Sequence, residues 1–287
     1  MAPIIVLNNL FWQYEGQEDF ALREICLKIE ESSFTSIIGP NEAGKTTLVS
    51  CIRGLIPRSY HGILRGSIEV LGKNIADKTE LELAKEIGFV FADPEAQFTA
   101  MTVLEELAFG MENIGFSLNE IKERLEWVTE MTNIQDLLDK SPFEISGGQK
   151  QRITIASMLA LKPKIFILDE PTSMLDPLGK DQIINILTTL KEQEAMTLIV
   201  VEHNIEQIAP LSDQIVLMAD GKVLKSDSPQ DFFCDIEPLE RLGIAVPHIT
   251  SFASNLLDLG LYEPPLPLTI EQAIGPCRLI LEQRGRE

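Results

Sequence analysis

Short runs that are uncharged and mostly apolar recur along the chain and end on glycine or acidic residues. Phe34-Thr35-Ser36-Ile37-Ile38 precedes Gly39, Ile165-Phe166-Ile167-Leu168 precedes Asp169 and Glu170, and Leu198-Ile199-Val200-Val201 precedes Glu202. Runs of this length without alternation are the pattern of strands buried on both faces, as parallel strands between helices are. Ile87 to Phe91 is a further run, stopped by Ala92-Asp93-Pro94. Ile4 to Leu7, Ile25 to Ile29 and Gly66 to Gly72 also read as strands; a polar segment carrying Phe11, Trp12 and Tyr14 separates the first two. Ile215 to Met218, the Asp220-Gly221 turn and Val223-Leu224 predict a hairpin.

Between Pro94 and Pro163 the strand pattern stops. Two capping boxes, Thr102 with Glu105 and Ser117 with Glu120, open helices there, and Ile121, Leu125 and Val128 fall on one face of the second. Lys45 to Gly54 and Lys150 to Leu161 read as further helices, the latter terminated by Pro163. Beyond about Asp231 the composition shifts, and Pro238, Pro247, Pro264, Pro265 and Pro267 punctuate short amphipathic helices. The fold class expected is α/β: a body over 1–230 with an inserted helical part at about 94–163, and a small extension over 231–287.

The first buried run leads into Gly39-Pro40-Asn41-Glu42-Ala43-Gly44-Lys45-Thr46-Thr47, which fits G-x-x-x-x-G-K-[ST] at a strand-to-helix junction. Glycines let the backbone close around an anion, and successive N–H groups at a helix N-terminus supply positive potential. Lys45 adds a point charge for the β- and γ-phosphates, and the Thr46 hydroxyl can ligate Mg²⁺. Nothing else in the chain has comparable specificity.

Asp169 and Glu170 sit where a buried parallel strand ends, the edge at which α/β sheets bind ligands. Asp169 is placed to hold Mg²⁺ and Glu170 to accept a proton from an attacking water, although two acids can also merely end a strand. His203 closes another such strand and could contact a γ-phosphate or be satisfied locally. Ser146-Gly147-Gly148-Gln149 offers a second set of free N–H groups, or a plain helix cap. An aromatic upstream of the loop, such as Tyr14, can stack on a base or pack in the core.

The 287 residues, 45% of them hydrophobic, suffice for about two packed units. Lys+Arg 24 against Asp+Glu 44 gives a formal charge of −20, a field that repels nucleic acid and anionic lipid alike. Met1-Ala2-Pro3 lacks the basic lead of a signal peptide, and the longest apolar runs are strand-length, so no membrane span is expected. Cys26, Cys51, Cys234 and Cys277 show no metal-type spacing and read as reduced thiols.

The order of these motifs carries more than any one of them. Phosphate loop, helical insert, Ser146 to Gln149, the Asp169-Glu170 strand, Ser173-Met174-Leu175-Asp176 and His203 together resemble the P-loop ATPase subunits of ABC transporters, over residues 4 to about 230. The resemblance implies that Gly39 to Thr47 is Walker A, that Asp169 holds magnesium, and that Glu170 is the catalytic base. It further implies that Ser146 to Gln149 caps ATP bound by a second subunit, that Asp176 lies in the D-loop, that His203 is the switch histidine, and that Tyr14 stacks on adenine. ATP and Mg²⁺ are the implied cofactors.

A narrower likeness is to the ATPases of energy-coupling factor importers, on Phe91 to Phe98, Glu202-His203-Asn204, Leu239 to Pro247 and Pro265 to Thr269. It implies uptake of a vitamin or transition-metal ion. It also implies a homo- or heterodimer of ATPase subunits at the cytoplasmic face of the membrane, docked on a transmembrane coupling protein and a membrane substrate-binding protein. Two positions depart from the pattern. Ala92 stands where Gln is usual, and Glu42 stands where a small residue is common; Glu42 is expected to point to solvent. An ABC-type ATPase working on DNA or ribosomes would call for a basic face, a long coiled-coil insert or a second phosphate loop, and the sequence has none. A nucleotide-gated module with little hydrolysis is the other alternative, encouraged by Ala92 and opposed by Glu170 and His203.

Overall fold

A computed structural model describes residues 3–284, so the reading of Met1-Ala2 and the outermost ends of the two expected units lie outside the described residues. Two sheets share the work. An antiparallel sheet takes β1 (Pro3–Tyr14) and β2 (Leu22–Glu30), and the chain then enters a second sheet as β3 (Phe34–Ile38). After α1 (Lys45–Arg53) and the short turn α2 (Leu55–Arg58), β4 (Gly62–Val70) and β5 (Lys73–Asn74) return to the first sheet, in the order β2-β1-β4-β5. Next come α3 (Glu80–Glu86) and β6 (Ile87–Val90), then three helices without a strand: α4 (Val103–Ile114), α5 (Leu118–Thr132) and α6 (Gly147–Leu159). β7 (Ile165–Asp169), α7 (Pro177–Gln193), β8 (Thr197–Val201), β9 (Gln214–Ala219) and β10 (Lys222–Asp227) complete the second sheet, ordered β10-β9-β3-β8-β7-β6. Four helical pieces follow: α8 (Pro229–Phe232), α9 (Glu237–Arg241), α10 (His248–Asp258) and α11 (Ile270–Arg284).

The mostly apolar runs are the parallel strands of the second sheet, and each serves two cores. Phe34, Phe166, Leu168, Leu198 and Val200 face the layer built by α4 to α7. Their alternate neighbours Ile37, Ile165, Ile167, Ile199 and Val201 face α1 and the antiparallel sheet. A strand buried on both sides has few polar positions, and the two in β3, Thr35 and Ser36, are buried and hydrogen-bonded to Gln214 and Ser212, so no alternation is visible.

Register fixes what happens at the strand ends. Ile37 pairs with Val201, and Val201 pairs with Asp169, so β3, β8 and β7 terminate level with one another. Backbone bonds run past the ends: Glu202 N–H donates to Ile37 O at 3.2 Å and Glu170 N–H to Val201 O at 2.9 Å. The phosphate loop, the Glu202-His203 segment and the Asp169-Glu170 pair are therefore neighbours by construction.

β1 is longer than the sequence pattern suggests. The polar stretch after Leu7 is the same strand continued, with register shifts at Leu7/Leu10 and Leu10/Trp12 and Asn9 at φ 46°. The bulges re-phase the strand so that Leu10 and Trp12 both point into the core, which no simple alternation would reveal. The carboxyl-terminal pieces do not stand apart either. Leu239, Ile244, Val246 and Leu268 join the core beneath the helical layer, while Ala253, Tyr262 and Leu266 form a small cluster of their own.

Arg152, 8% exposed, anchors α6 to the end of α5. Its Nη1 donates to the carbonyls of Thr132 and Asn133, which the helix terminus leaves without intrahelical donors. Replacing Arg152 by Met should cost about 1.5–3 kcal/mol in equilibrium urea unfolding, the range for a charge-assisted hydrogen bond. Unaltered stability would show that water or another donor takes over those carbonyls.

Candidate nucleotide-binding site

β3 and α1 hold the phosphate loop between them. A Cβ at Gly39 would lie 2.1 Å from the Met218 carbonyl oxygen of β9, so only glycine lets the chain leave the sheet at this point. Gly44 caps α1 at φ 92°, with Ala21 O 2.8 Å from where its Cβ would be. Lys45, the first residue of α1, is buried, and its Nζ donates to Gly39 O at 2.9 Å and Pro40 O at 2.8 Å. An ammonium has three N–H donors, so one remains for a ligand. A cavity of about 190 Å³ lies along the loop, lined by Asn41 to Thr47 together with Ala21 and Glu170, so the lysine does not fill it. Burial pushes the Lys45 ammonium below its ordinary range, and Glu170 and Asp169 pull it back. Glu42 is exposed, as expected, but its backbone sits at φ 63°, a region a residue with a Cβ adopts at a cost.

Asp169 ends β7 at 3% exposure. Burial raises its carboxyl above the ordinary carboxylate range; the Thr46 hydroxyl opposes the rise, Glu170 adds to it, and Lys45 and His203 oppose it. Its Oδ1 is buried without a hydrogen-bond partner. An orphaned anionic oxygen beside a threonine hydroxyl is the donor set a hard divalent cation takes, and Mg²⁺ characteristically binds through one or two such oxygens while keeping waters. The residues present therefore fit the metal the motif implies.

Glu170 and His203 extend from adjacent strand ends and meet. With Glu170 as carboxylate, His203 Nε2–H donates to Glu170 Oε1 at 2.8 Å. Glu170 has φ 50°, and its carbonyl accepts from the Ser173 N–H and hydroxyl, which turns the chain sharply after β7. Glu202 carries no role in the sequence reading, yet it braces both loops. Its Oε1 accepts from the Thr172 N–H at 2.9 Å and hydroxyl at 2.7 Å, and its Oε2 from the His203 N–H at 3.3 Å. Burial raises its carboxyl, against the lowering effect of the Thr172 bonds. The signal available in the sequence was an acid directly after a buried strand, and its spacing alone did not separate it from a strand terminator.

Tyr14 reaches the loop from β1: its hydroxyl lies 3.1 Å from Thr47 Oγ1. The ring meets Trp12 and Tyr60 edge-on and lines a cavity of about 580 Å³ shared with His61. Ser146 and Gln149 form a capping box at the start of α6, the Gln149 N–H donating to Ser146 Oγ and the Ser146 N–H to Gln149 Oε1. Gly147 and Gly148 follow within the first turn. Asp176 caps α7, accepting from the Gly179 N–H at 2.8 Å. Ser146 to Gln149 and Asp176 line one cavity of about 420 Å³, and it shares no residue with the cavity along the phosphate loop. One chain thus carries two separate cavities, one along the phosphate loop and one at the start of α6. Gln97 is not available as a substitute for the residue missing at Ala92, since its amide bonds the backbone at Phe91 N and Phe89 O.

A strand-ended phosphate loop with its Asp-Glu pair, on a mixed sheet with a helical layer, defines a P-loop nucleotide triphosphatase. The ABC transporter family model matches residues 22–173, and the chain belongs to that family and is an ATPase. It is 42% identical over 274 residues to the energy-coupling factor transporter ATP-binding protein EcfA2 of Caldanaerobacter subterraneus, covering 94% of this chain and 95% of that protein. Among solved structures, cbiO1 of Clostridium perfringens, part of the ABC transporter complex cbiONQ, superposes with a TM-score of 0.74 at 29% identity over 90% of this chain and 100% of that one. The ATP-binding cassette MJ0796, solved as a dimer bound to ADP and Pi, gives a TM-score of 0.69 at 28% identity over 78% of this chain and 98% of that one.

The raised Asp169 carboxyl has a thermodynamic sign. A carboxyl whose folded value lies above its unfolded one favours the native state below the unfolded value, and that contribution is lost as pH rises through the folded value. In magnesium-free buffer at neutral pH, Asp169→Asn should therefore raise the melting temperature. The gain should vanish at about pH 4 and below, where the unfolded carboxyl is protonated. A lower melting temperature at neutral pH would contradict this account of the site.

Proposed function

We propose that this chain is the ATP-hydrolysing motor subunit of an energy-coupling factor type importer, powering uptake of a vitamin or transition-metal ion. The Caldanaerobacter relative, matched over 94% of this chain, is named an energy-coupling factor transporter ATP-binding protein, and cbiO1 is part of an ABC transporter complex. The observation that carries the catalytic part is the Glu170–His203 bond at the lip of the phosphate cradle.

In this reading Gly39, Pro40, Asn41, Glu42, Ala43, Gly44, Lys45, Thr46 and Thr47 wrap the triphosphate, with backbone N–H groups from residues other than Pro40 and the Lys45 ammonium facing it. Thr46 and Asp169 would hold Mg²⁺, which neutralises phosphate charge when bound. Glu170 orients the attacking water and takes its proton; His203 keeps that carboxylate aimed and reports on the γ-phosphate. Catalysis is then mostly positioning and charge neutralisation. Tyr14 offers its ring to the adenine.

The two separate cavities support a head-to-tail pair, in which Ser146, Gly147, Gly148, Gln149 and Asp176 of one subunit close over ATP held by the other. No helix among the described residues is long and apolar enough to cross a membrane, so transport goes through partners: a transmembrane coupling protein and a membrane substrate-binding protein, met at the cytoplasmic face. The net charge of −20 argues against nucleic acid as a partner.

Glu170→Gln is expected to bind ATP with unchanged affinity, to hydrolyse it at least about 100-fold more slowly, and to accumulate as a dimer in sedimentation runs with ATP. Normal turnover in that variant would remove Glu170 from the chemistry. For the transport role, tagged chain recovered from detergent-solubilised host membranes should bring down an integral membrane protein in a fixed ratio. Recovery of the chain alone, or with ribosomes, would count against an importer.

A further inference from the structure

Where the segment leaving β6, the start of α6 and the turn after β7 come together, they leave a cavity of about 180 Å³, open to solvent beside the exposed Glu95 and Met174. Ala92 and Glu95 line it from the first, Lys150 and Gln151 from the second, and Glu170 from the third. Gln151 is 3% exposed, and its Nε2 is buried with no hydrogen-bond partner. A buried amide with an unused donor is uncommon, because it forfeits its hydration without replacement. Gln97, the amide of the segment after β6, does not line this cavity and bonds the backbone of Phe89 and Phe91. Lys150, one residue before Gln151, is ion-paired with Glu95, which holds α6 against this segment.

We propose that Gln151 is a positioning residue for ATP hydrolysis, linking α6 to Glu170 through water held in this cavity. The volume accommodates several waters at about 30 Å³ each, and both Gln151, whose amide has an unused donor, and Glu170 line it. A water accepting from the amide and donating to Glu170 adds a second hold on the carboxylate, which already accepts from His203 at Oε1. The link also ties the catalytic loop to the helix whose first turn carries Gly147 and Gly148, so closure of that surface on a second subunit is felt at Glu170. Alanine at 92 leaves the space open; a longer side chain there would occupy it. The inference rests on Glu170 being the residue that orients the attacking water.

The test is ATP turnover by the full-length protein at saturating ATP. Gln151→Met, which keeps the volume and removes the amide, should lower kcat about tenfold while leaving the KM for ATP within about twofold. Adding Ala92→Gln to that variant should restore most of the loss, because an amide re-enters the cavity from its other wall. Ala92→Leu, which fills the space the water needs, should fall about tenfold below the unaltered chain, and this decides the matter if Gln151→Met does not fold. Wild-type turnover in Gln151→Met, a loss that Ala92→Gln does not relieve, or unaltered turnover in Ala92→Leu overturns the proposal. Glu170→Gln run alongside separates the two readings. If it is inactive while the Gln151 and Ala92 variants are unaffected, this inference fails alone; if it is active, the assignment of Glu170 fails and takes this inference with it.

Discussion

The in-register termination of three neighbouring parallel strands is the constraint on which the rest of the molecule depends. Ile37, Val201 and Asp169 sit abreast, so the residues that follow them emerge side by side at one edge of the sheet. A shift of one residue in β7 or β8 would turn Asp169 or His203 toward the opposite core. Such a slip is resisted because each strand is mostly apolar on both faces and fits two cores at once. The hydrophobic pattern thus sets the position of polar chemistry it does not itself contain.

That chemistry is held under electrostatic strain. Lys45, Asp169 and Glu202 are all nearly buried, and burial moves each away from its charged form. Glu202 is answered by three donors and behaves as a brace between the loops after β7 and β8. Asp169 is answered only in part, and its unpaired oxygen is where the site asks for a cation. Glu42 and Glu170 add left-handed backbone at the cradle. Local strain of this kind is tolerated where the surrounding fold over-determines the conformation, and here two cores do so.

Much of this was legible in the sequence, for identifiable reasons. Residues 39 to 47 and the Asp169-Glu170 strand announce themselves because phosphate and metal chemistry admit few residue types at fixed spacing. The capping boxes at Thr102 and Ser117 form as read, since side chain and backbone there satisfy each other locally. What could not be read depends on contacts between distant segments. The continuation of β1 through Asn8 and Asn9 is hidden by bulges that only the partner strands define. The bracing by Glu202 requires Thr172 to be brought beside it, thirty residues away in the chain. Gln151 looks like any polar helical residue until α6 proves to be buried on nearly every side.

The account stands most directly on whether the strand ends, the cradle and the Asp169 oxygen act as one site. A crystal structure of the full chain with magnesium and a non-hydrolysable ATP analogue tests it. The triphosphate should lie along residues 39 to 47, with the metal bound through Thr46 and Asp169 and the Glu170 carboxylate facing the γ-phosphate. Nucleotide bound elsewhere, or a metal that ignores Asp169, would contradict it.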